Sequence, residues 1–189
     1  LAEFHAAKEV SRSIIVERYI VGEDYRLLVI DYKLVAAAKR TPAGVTGDGK
    51  STIKELIDIV NSDPRRGYGH EKVLTQITVD ELTKGILEQN NRTLETVLPE
   101  GEWMALKDTA NLSTGGTSTD VTDIVHPYNV FMAERISKLI GLDICGIDIM
   151  TTDISSPLHE TGGAILEVNA GPGFRMHLAP SEGLPRNVA

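Results

Sequence analysis

The chain predicts an α+β domain: a largely antiparallel sheet with flanking helices. Three observations lead there. Alternating apolar segments come first and last in the sequence, with amphipathic helical spacing between them. Two early strand segments are separated by only Asp31 and Tyr32, a gap that a hairpin spans and a parallel crossover does not. The chain has 189 residues, 41% hydrophobic and 24% charged, which suits one domain or a large piece of one, with no internal repeat.

Helical spacing covers residues 1–10, and because residue 1 is Leu the chain reads as a piece of something longer. Residues 13–20 alternate as a strand and lead to a turn at 22–24; strands follow at 25–30 and 33–39, joined as a hairpin. Residues 41–49 read as a glycine-rich loop. Thr52 and Glu55 form a capping-box pair, after which Ile53, Leu56, Ile57 and Val60 keep helical spacing until residues 61–64. Residues 65–72 form a charged, glycine-containing loop in which His70 reads as a solvated residue. Thr78 and Glu81 repeat the capping pattern and open a helix to about Gln89. A strand at 103–107 and a loop of small residues at 111–120 come next. Pro127 then fits the first turn of a helix whose apolar face holds Val130, Ala133, Ile136 and Ile140.

The two closing strands carry the most chemistry. Ile147 and Ile149 flank a lone carboxylate, Asp148, and alternation along Ile165, Glu167 and Asn169 puts Glu167 and Asn169 side by side near a strand end. Two carboxylates and an amide oxygen make a hard-oxygen set suited to Mg2+, which keeps waters and shares substrate phosphates. Either segment alone reads equally well as a solvent-facing charge; together they favour a metal–phosphate site. Glycines 171 and 173 with Pro172 then end the strand and let backbone approach a ligand.

Upstream, Glu17 and Asp24 bracket the extended segment through Tyr19 and Ile20. Such a segment can lie along an adenine ring, with Asp24 accepting from ribose hydroxyls, or can be a half-exposed strand. Arg26 and Arg40 can grip phosphate or carboxylate bidentately, or form cross-strand ion pairs. Gly115 and Gly116, with Asn111, Ser113 and Thr114, can offer N–H groups to an anion. Arg175 and His177 follow the closing turn and can reach the same centre, although a lone His there also suits the surface.

The net charge of −8, with no basic stripe, argues against nucleic acid as partner. No apolar run reaches membrane-spanning length and no signal-peptide pattern opens the chain, so a cytoplasmic setting is the default. The single cysteine, Cys145, sits in an apolar run as a small buried hydrophobe. No Ser-His-Asp or Cys-His arrangement stands out. The stretch Gly47-Asp-Gly-Lys-Ser51 resembles only the tail of a phosphate-binding loop.

Glu17-Arg-Tyr-Ile-Val-Gly-Glu-Asp-Tyr-Arg26, Val35-Ala-Ala-Ala-Lys-Arg-Thr-Pro-Ala43, Gly146-Ile-Asp148 and Glu167-Val-Asn169 together resemble the ATP-grasp amino-acid ligases. The stretches from Gly47, Asn61, Gly69, Asn111 and Gly173 narrow the likeness to the branch that extends a poly-aspartate backbone and decorates it with arginine. The resemblance implies an ATP-grasp fold, of which this is the C-terminal part. Residues 1–16 would be a remnant of the upper lid subdomain, and residues 17–189 the C-terminal subdomain with hinge and metal site. It implies ATP and Mg2+ as cofactors and an acyl-phosphate intermediate. The implied partners are aspartate, arginine, the growing chain and the rest of a homo-oligomeric enzyme. Glu17, Tyr19 and Ile20 would hold adenine and Asp24 the ribose. Asp148, Glu167 and Asn169 would hold Mg2+, and Arg26, Arg40 and Arg175 would face phosphate or substrate carboxylate. Asn111, Ser113, Gly115, Gly116 and His177 would border the substrate. Because little precedes Glu17, the chain alone is expected to bind nucleotide weakly at best. A glutathione-synthetase-like ligase and a non-catalytic nucleotide-binding module are the competing readings.

Overall fold

The computed structural model describes residues 2–69 and 71–188, the side chains of residues 2, 3 and 6 aside; His70 lies outside them. After helix α1 (Ala2–Val10), the hairpin β1 (Glu23–Ile30) and β2 (Lys33–Thr41) turns through Asp31 and Tyr32, both at positive φ (49° and 60°). That left-handed pair matches the twist of the strands it joins. The remaining elements are β3 (Gly44–Thr46), α2 (Ile53–Asn61), β4 (Arg66–Gly67), β5 (Leu74–Thr75), α3 (Glu81–Gln89), β6 (Trp103–Ala105), β7 (Thr117–Asp120), α4 (Pro127–Ile140), β8 (Ile144–Thr151), β9 (Ala164–Asn169) and α5 (Arg175–Leu178).

Five strands form one sheet in the order β7-β2-β1-β8-β9, with every neighbouring pair antiparallel. One face of the sheet carries Tyr25, Leu27, Val29, Ala37, Cys145, Ile147 and Ile149 and is closed by α4 through Ala133. The opposite face carries Asp24 and Arg26 of β1, Arg40 of β2 and Asp148 of β8, and alternation along each strand keeps them apart from the apolar set. A second apolar cluster joins Val45, Ile53, Leu56, Ile57, Ile86, Leu87 and Leu98 beneath α2 and α3.

The expected elements mostly form, with informative exceptions. Residues 13–20 are not a strand. A strand must pair its backbone groups, and no described strand lies beside this segment, so Ile15 (84% exposed) and Val16 (79%) stand in solvent. The stretch 111–120 is not all loop: its threonine-rich end is the edge strand β7, paired to β2 from Thr41↔Thr117 to Ala38↔Asp120. Residues 44–46, expected in a loop, pair with β6. Helix α2 has the expected capping box between Thr52 and Glu55, whereas α3 is capped by Asp80 with Thr83, not by Thr78 with Glu81. Asp80 is the better cap because its short carboxylate also binds the buried Lys107 ammonium (Nζ to Oδ2, 2.6 Å). On α4, Ile140 faces solvent, and Ser137 takes the buried position by donating to the Leu142 carbonyl (2.6 Å).

Candidate functional site

Sheet register assembles the site. Asp24 faces Arg40 across β1 and β2, Arg26 faces Asp148 across β1 and β8, and Asp148 faces Glu167 across β8 and β9. Residues opposite one another in an antiparallel pair project to the same face, so these five charges form one patch. Asn169 joins it two residues beyond Glu167, donating Nδ2–H to Glu167 Oε1 at 2.9 Å. Small residues leave the room: Ala38 lies opposite Arg26, and Gly146 lies under it, where a Cβ would come within 2.9 Å of Arg26 Cδ.

Within the patch the charges pair. Arg26 donates to both oxygens of Asp148, Nε to Oδ1 and Nη2 to Oδ2, the latter at 2.9 Å. Arg40 bridges the two aspartates, its Nη2 reaching Asp148 Oδ2 at 3.0 Å and its Nε reaching Asp24 Oδ1 at 2.8 Å. Arg26, Arg40 and Asp148 are each no more than 9% exposed. Buried charges of this kind persist only when paired. Burial pushes the Asp24 carboxyl above its ordinary range, and the Arg40 guanidinium opposes that shift.

The patch floors an open cleft of about 590 Å3, lined by Tyr19, Asp24, Arg40, Asn111, Met150 and Glu167 among others. Tyr19, 87% exposed, stands at its mouth. Asp24, Arg26, Arg40, Asn111, Asp148 and Glu167 are thus brought together as the sequence suggests, and Asn169 is tied to them through Glu167. Glu17 and Ile20 do not line the cleft. Ser113 and Arg175 line a separate groove of about 340 Å3, where Arg175 Nη1 donates to the Lys72 carbonyl at 3.2 Å. The N–H groups of Thr114, Gly115 and Gly116 donate to carbonyls of their own turn (3.1–3.3 Å) and are not free to hold an anion. His177 is buried rather than at the surface (2% exposed), and neither ring nitrogen has a hydrogen-bond partner. Burial, assisted by the positive charge of Arg26, lowers its pKa to about 4.

The sequence left Asp108, Met150 and Leu166 out of the cleft lining. Met150 could have been found, since it lies two residues beyond Asp148 on the same face. Leu166 could not: a register shift between Asp148 and Ile149 in the β8–β9 pairing turns it toward the cleft.

The donor set fits a hard divalent cation. Asp148 and Glu167 are cross-strand neighbours of like charge, a pairing whose cost the Arg26 and Arg40 guanidiniums on Asp148 already offset in part. A carboxylate has about four acceptor sites, and the two guanidiniums use three at Asp148. One site there, the exposed Glu167 and the Asn169 amide oxygen are oxygen donors of the kind such a cation takes, while among the described residues no three His, Cys, Asp or Glu side chains gather as a metal-binding group.

No family model matches the chain. It is 60% identical to a cyanophycin synthetase of Trichormus variabilis over 188 residues, all of this chain and 21% of that protein. It is 35% identical to the bifunctional glutathione biosynthesis protein GshAB of Clostridium perfringens, over 93% of this chain and 23% of that one. The crystal structure of a bifunctional glutathione synthetase from Pasteurella multocida superposes with a TM-score of 0.75 at 31% identity, covering 89% of this chain and 23% of that one. The chain therefore spans about a fifth of the length of the curated relatives it matches. Its fold is that of the matching part of the glutathione synthetase, an ATP-grasp fold, and its sequence resembles cyanophycin synthetases along its whole length.

Proposed function

We propose that this chain is the nucleotide- and metal-binding part of an ATP-dependent carboxylate–amine ligase. Its parent enzyme, on this reading, makes cyanophycin, a poly-aspartate backbone bearing arginine branches, through an acyl-phosphate intermediate. The observation that carries the proposal is the row Arg26–Asp148–Glu167, with Asn169 beside it, opening onto the large cleft. Identity of 60% to cyanophycin synthetase against 35% to the glutathione protein favours the poly-aspartate substrate over the glutathione-like one.

Residues 1–16 would then belong to the upper subdomain and residues 17–189 to the C-terminal one. Tyr19 and Asp24, which line the cleft, would border purine and ribose, and Glu17 and the backbone of Ile20 would have to close over the adenine from outside that lining. Asp148, Glu167 and Asn169 would hold Mg2+, which when bound offsets phosphate charge so that an anionic carboxylate can approach. Arg26 and Arg40 hold Asp148 and Asp24 in fixed positions and keep positive charge under the phosphates. Arg175 would meet the substrate carboxylate, and Asn111, Ser113, Gly115 and Gly116 would border the acceptor side, with the buried His177 behind them. Aspartate, arginine, the growing chain and the rest of a cytoplasmic, homo-oligomeric enzyme are the partners. No described helix is long and apolar enough to cross a membrane.

Calorimetric titration with ATP, with and without Mg2+, tests the reading. The expected result is weak, Mg2+-dependent binding without turnover, lost in Glu167→Gln. Binding indifferent both to Mg2+ and to Glu167→Gln would remove the metal site and the ligase reading with it.

A further inference from the structure

A second groove, of about 410 Å3, lies between the end of α2, the β4–β5 pair and the 181–182 segment; Ser62, Asp63, Arg65, Arg66, Thr117 and Glu182 are among the residues that line it. None of its lining residues lines the large cleft. Its unusual member is Arg66, 7% exposed. One nitrogen, Nη1, donates to the carbonyls of Thr75 (2.5 Å) and Gly115 (3.0 Å). Among the described residues no carboxylate pairs with this guanidinium. Asp63, which lines the same groove, is taken by Arg65, whose Nη2 lies 2.8 Å from Oδ2 and whose backbone N–H lies 2.8 Å from Oδ1.

A buried guanidinium without a counter-ion is costly, because its desolvation is not offset. The only fully buried side-chain polar atoms without a partner among the described residues are the ring nitrogens of His177. Nε and Nη2 of Arg66, which find no acceptor among the described residues, are not among these fully buried atoms and therefore open to the groove. Two adjacent N–H groups on one edge of a planar cation match the two oxygens of a carboxylate. Glu182, exposed and in no ion pair among the described residues, lines the same groove. Its charge disfavours a dianionic phosphate and suits a carboxylate that has a cationic group nearby.

We propose that this groove is a binding subsite for a carboxylate of an amino acid or peptide, gripped by the Nε and Nη2 edge of Arg66. Nη1 of the same side chain holds Gly115, in the 111–116 loop whose first residue, Asn111, lines the large cleft. One loop thus joins the subsite to the cleft, as a chain reaching from one to the other requires. The carboxylate chemistry stands by itself; that it belongs to the aspartyl chain being extended rests on the ligase reading.

The test is an NMR titration of the 15N-labelled protein with sodium succinate at constant ionic strength. It is followed at the Arg66 Nε–Hε signal, identified by its loss in Arg66→Lys, and at the Thr117 amide. Both signals are expected to shift saturably with succinate and to stay still with neutral succinamide. At the Thr117 amide, Arg66→Lys should raise the half-saturation concentration at least about tenfold, since the fork is lost while the charge remains. No shift, an equal shift with sodium chloride, or a stronger response to inorganic phosphate than to succinate overturns the proposal. Should Arg66→Lys not fold, the succinamide control on the unaltered protein decides. Glu167→Gln is expected to leave the succinate response intact; losing it would put the carboxylate in the cleft and overturn the assignment. Absent ATP binding with an intact succinate response would fault the ligase reading alone.

Discussion

Asp148 accepts from two guanidiniums at once, so its carboxylate supports the sheet as well as lining the proposed metal site. Asp148→Asn leaves Arg26 and Arg40 buried with only Asp24 to balance them, and should cost about 3 kcal/mol of stability. Glu167→Gln, at an exposed position, should change stability by less than about 0.5 kcal/mol while weakening Mg2+-dependent nucleotide binding. Urea unfolding of the two variants separates the roles; equal stabilities would mean that the Asp148 network holds nothing together. His177 sets a pH window of its own. Its folded-state pKa of about 4 lies below the ordinary 6.5, so between those values the unfolded chain takes up a proton that the folded chain refuses. Stability from this residue is complete above about pH 6.5 and falls as the pH drops toward 4, by up to about 3 kcal/mol. Asp24, whose carboxyl is raised, opposes that trend near the acidic end. His177→Phe should flatten the stability curve across this interval, and an unchanged slope would show that another group sets it.

Strands decide where these side chains go, and β8 shows how narrow the tolerance is. A Cβ on Gly146 would lie 2.8 Å from Pro172 Cβ and 2.9 Å from Arg26 Cδ. Gly146→Ala should therefore push Arg26 off Asp148 and cost about 1–3 kcal/mol, read as a lower urea midpoint with unchanged slope. The local elements were legible wherever a short-range rule governs them. The Asp31–Tyr32 hairpin, the Thr52–Glu55 capping box, Pro127 at the start of α4 and the alternation around Asp148 all depend on residues within one turn or one strand. What depended on a distant partner was not. Residues 13–20 have the pattern of a strand but no neighbour to pair with, and residues 117–120 have weak strand character but find the exposed edge of β2. The site divides in the same way. That Glu167 and Asn169 share a face follows from spacing two apart, whereas the clamp of Arg26 and Arg40 on Asp148 spans 122 and 108 residues. Only the register of β2, β1 and β8 supplies it.

At the scale of the whole molecule, the cleft is lined from segments that adjoin two separate apolar cores. Arg26, Arg40 and Asp148 stand on the sheet whose other face packs the first core, while Pro42 and residues 108–111 adjoin Ala43 and Leu106 of the second. A ligand touching both sides ties the cores together and stabilises the folded state in proportion to its occupancy. The net charge of −8 repels ATP at long range, so binding must be won at short range by Arg and cation together. Mg2+ with ATP at about ten times the dissociation constant should add about 1.4 kcal/mol, which for a chain of this size raises the unfolding midpoint by about 3–6 °C. ATP with a chelator should add far less, and Glu167→Gln should lose most of the gain. Hydrogen exchange measured with both ligands present should slow on both sides of the cleft, in β8 and at residues 106–111. Protection confined to one side would mean that the nucleotide does not bridge the two cores, and the cleft as drawn would not be its site.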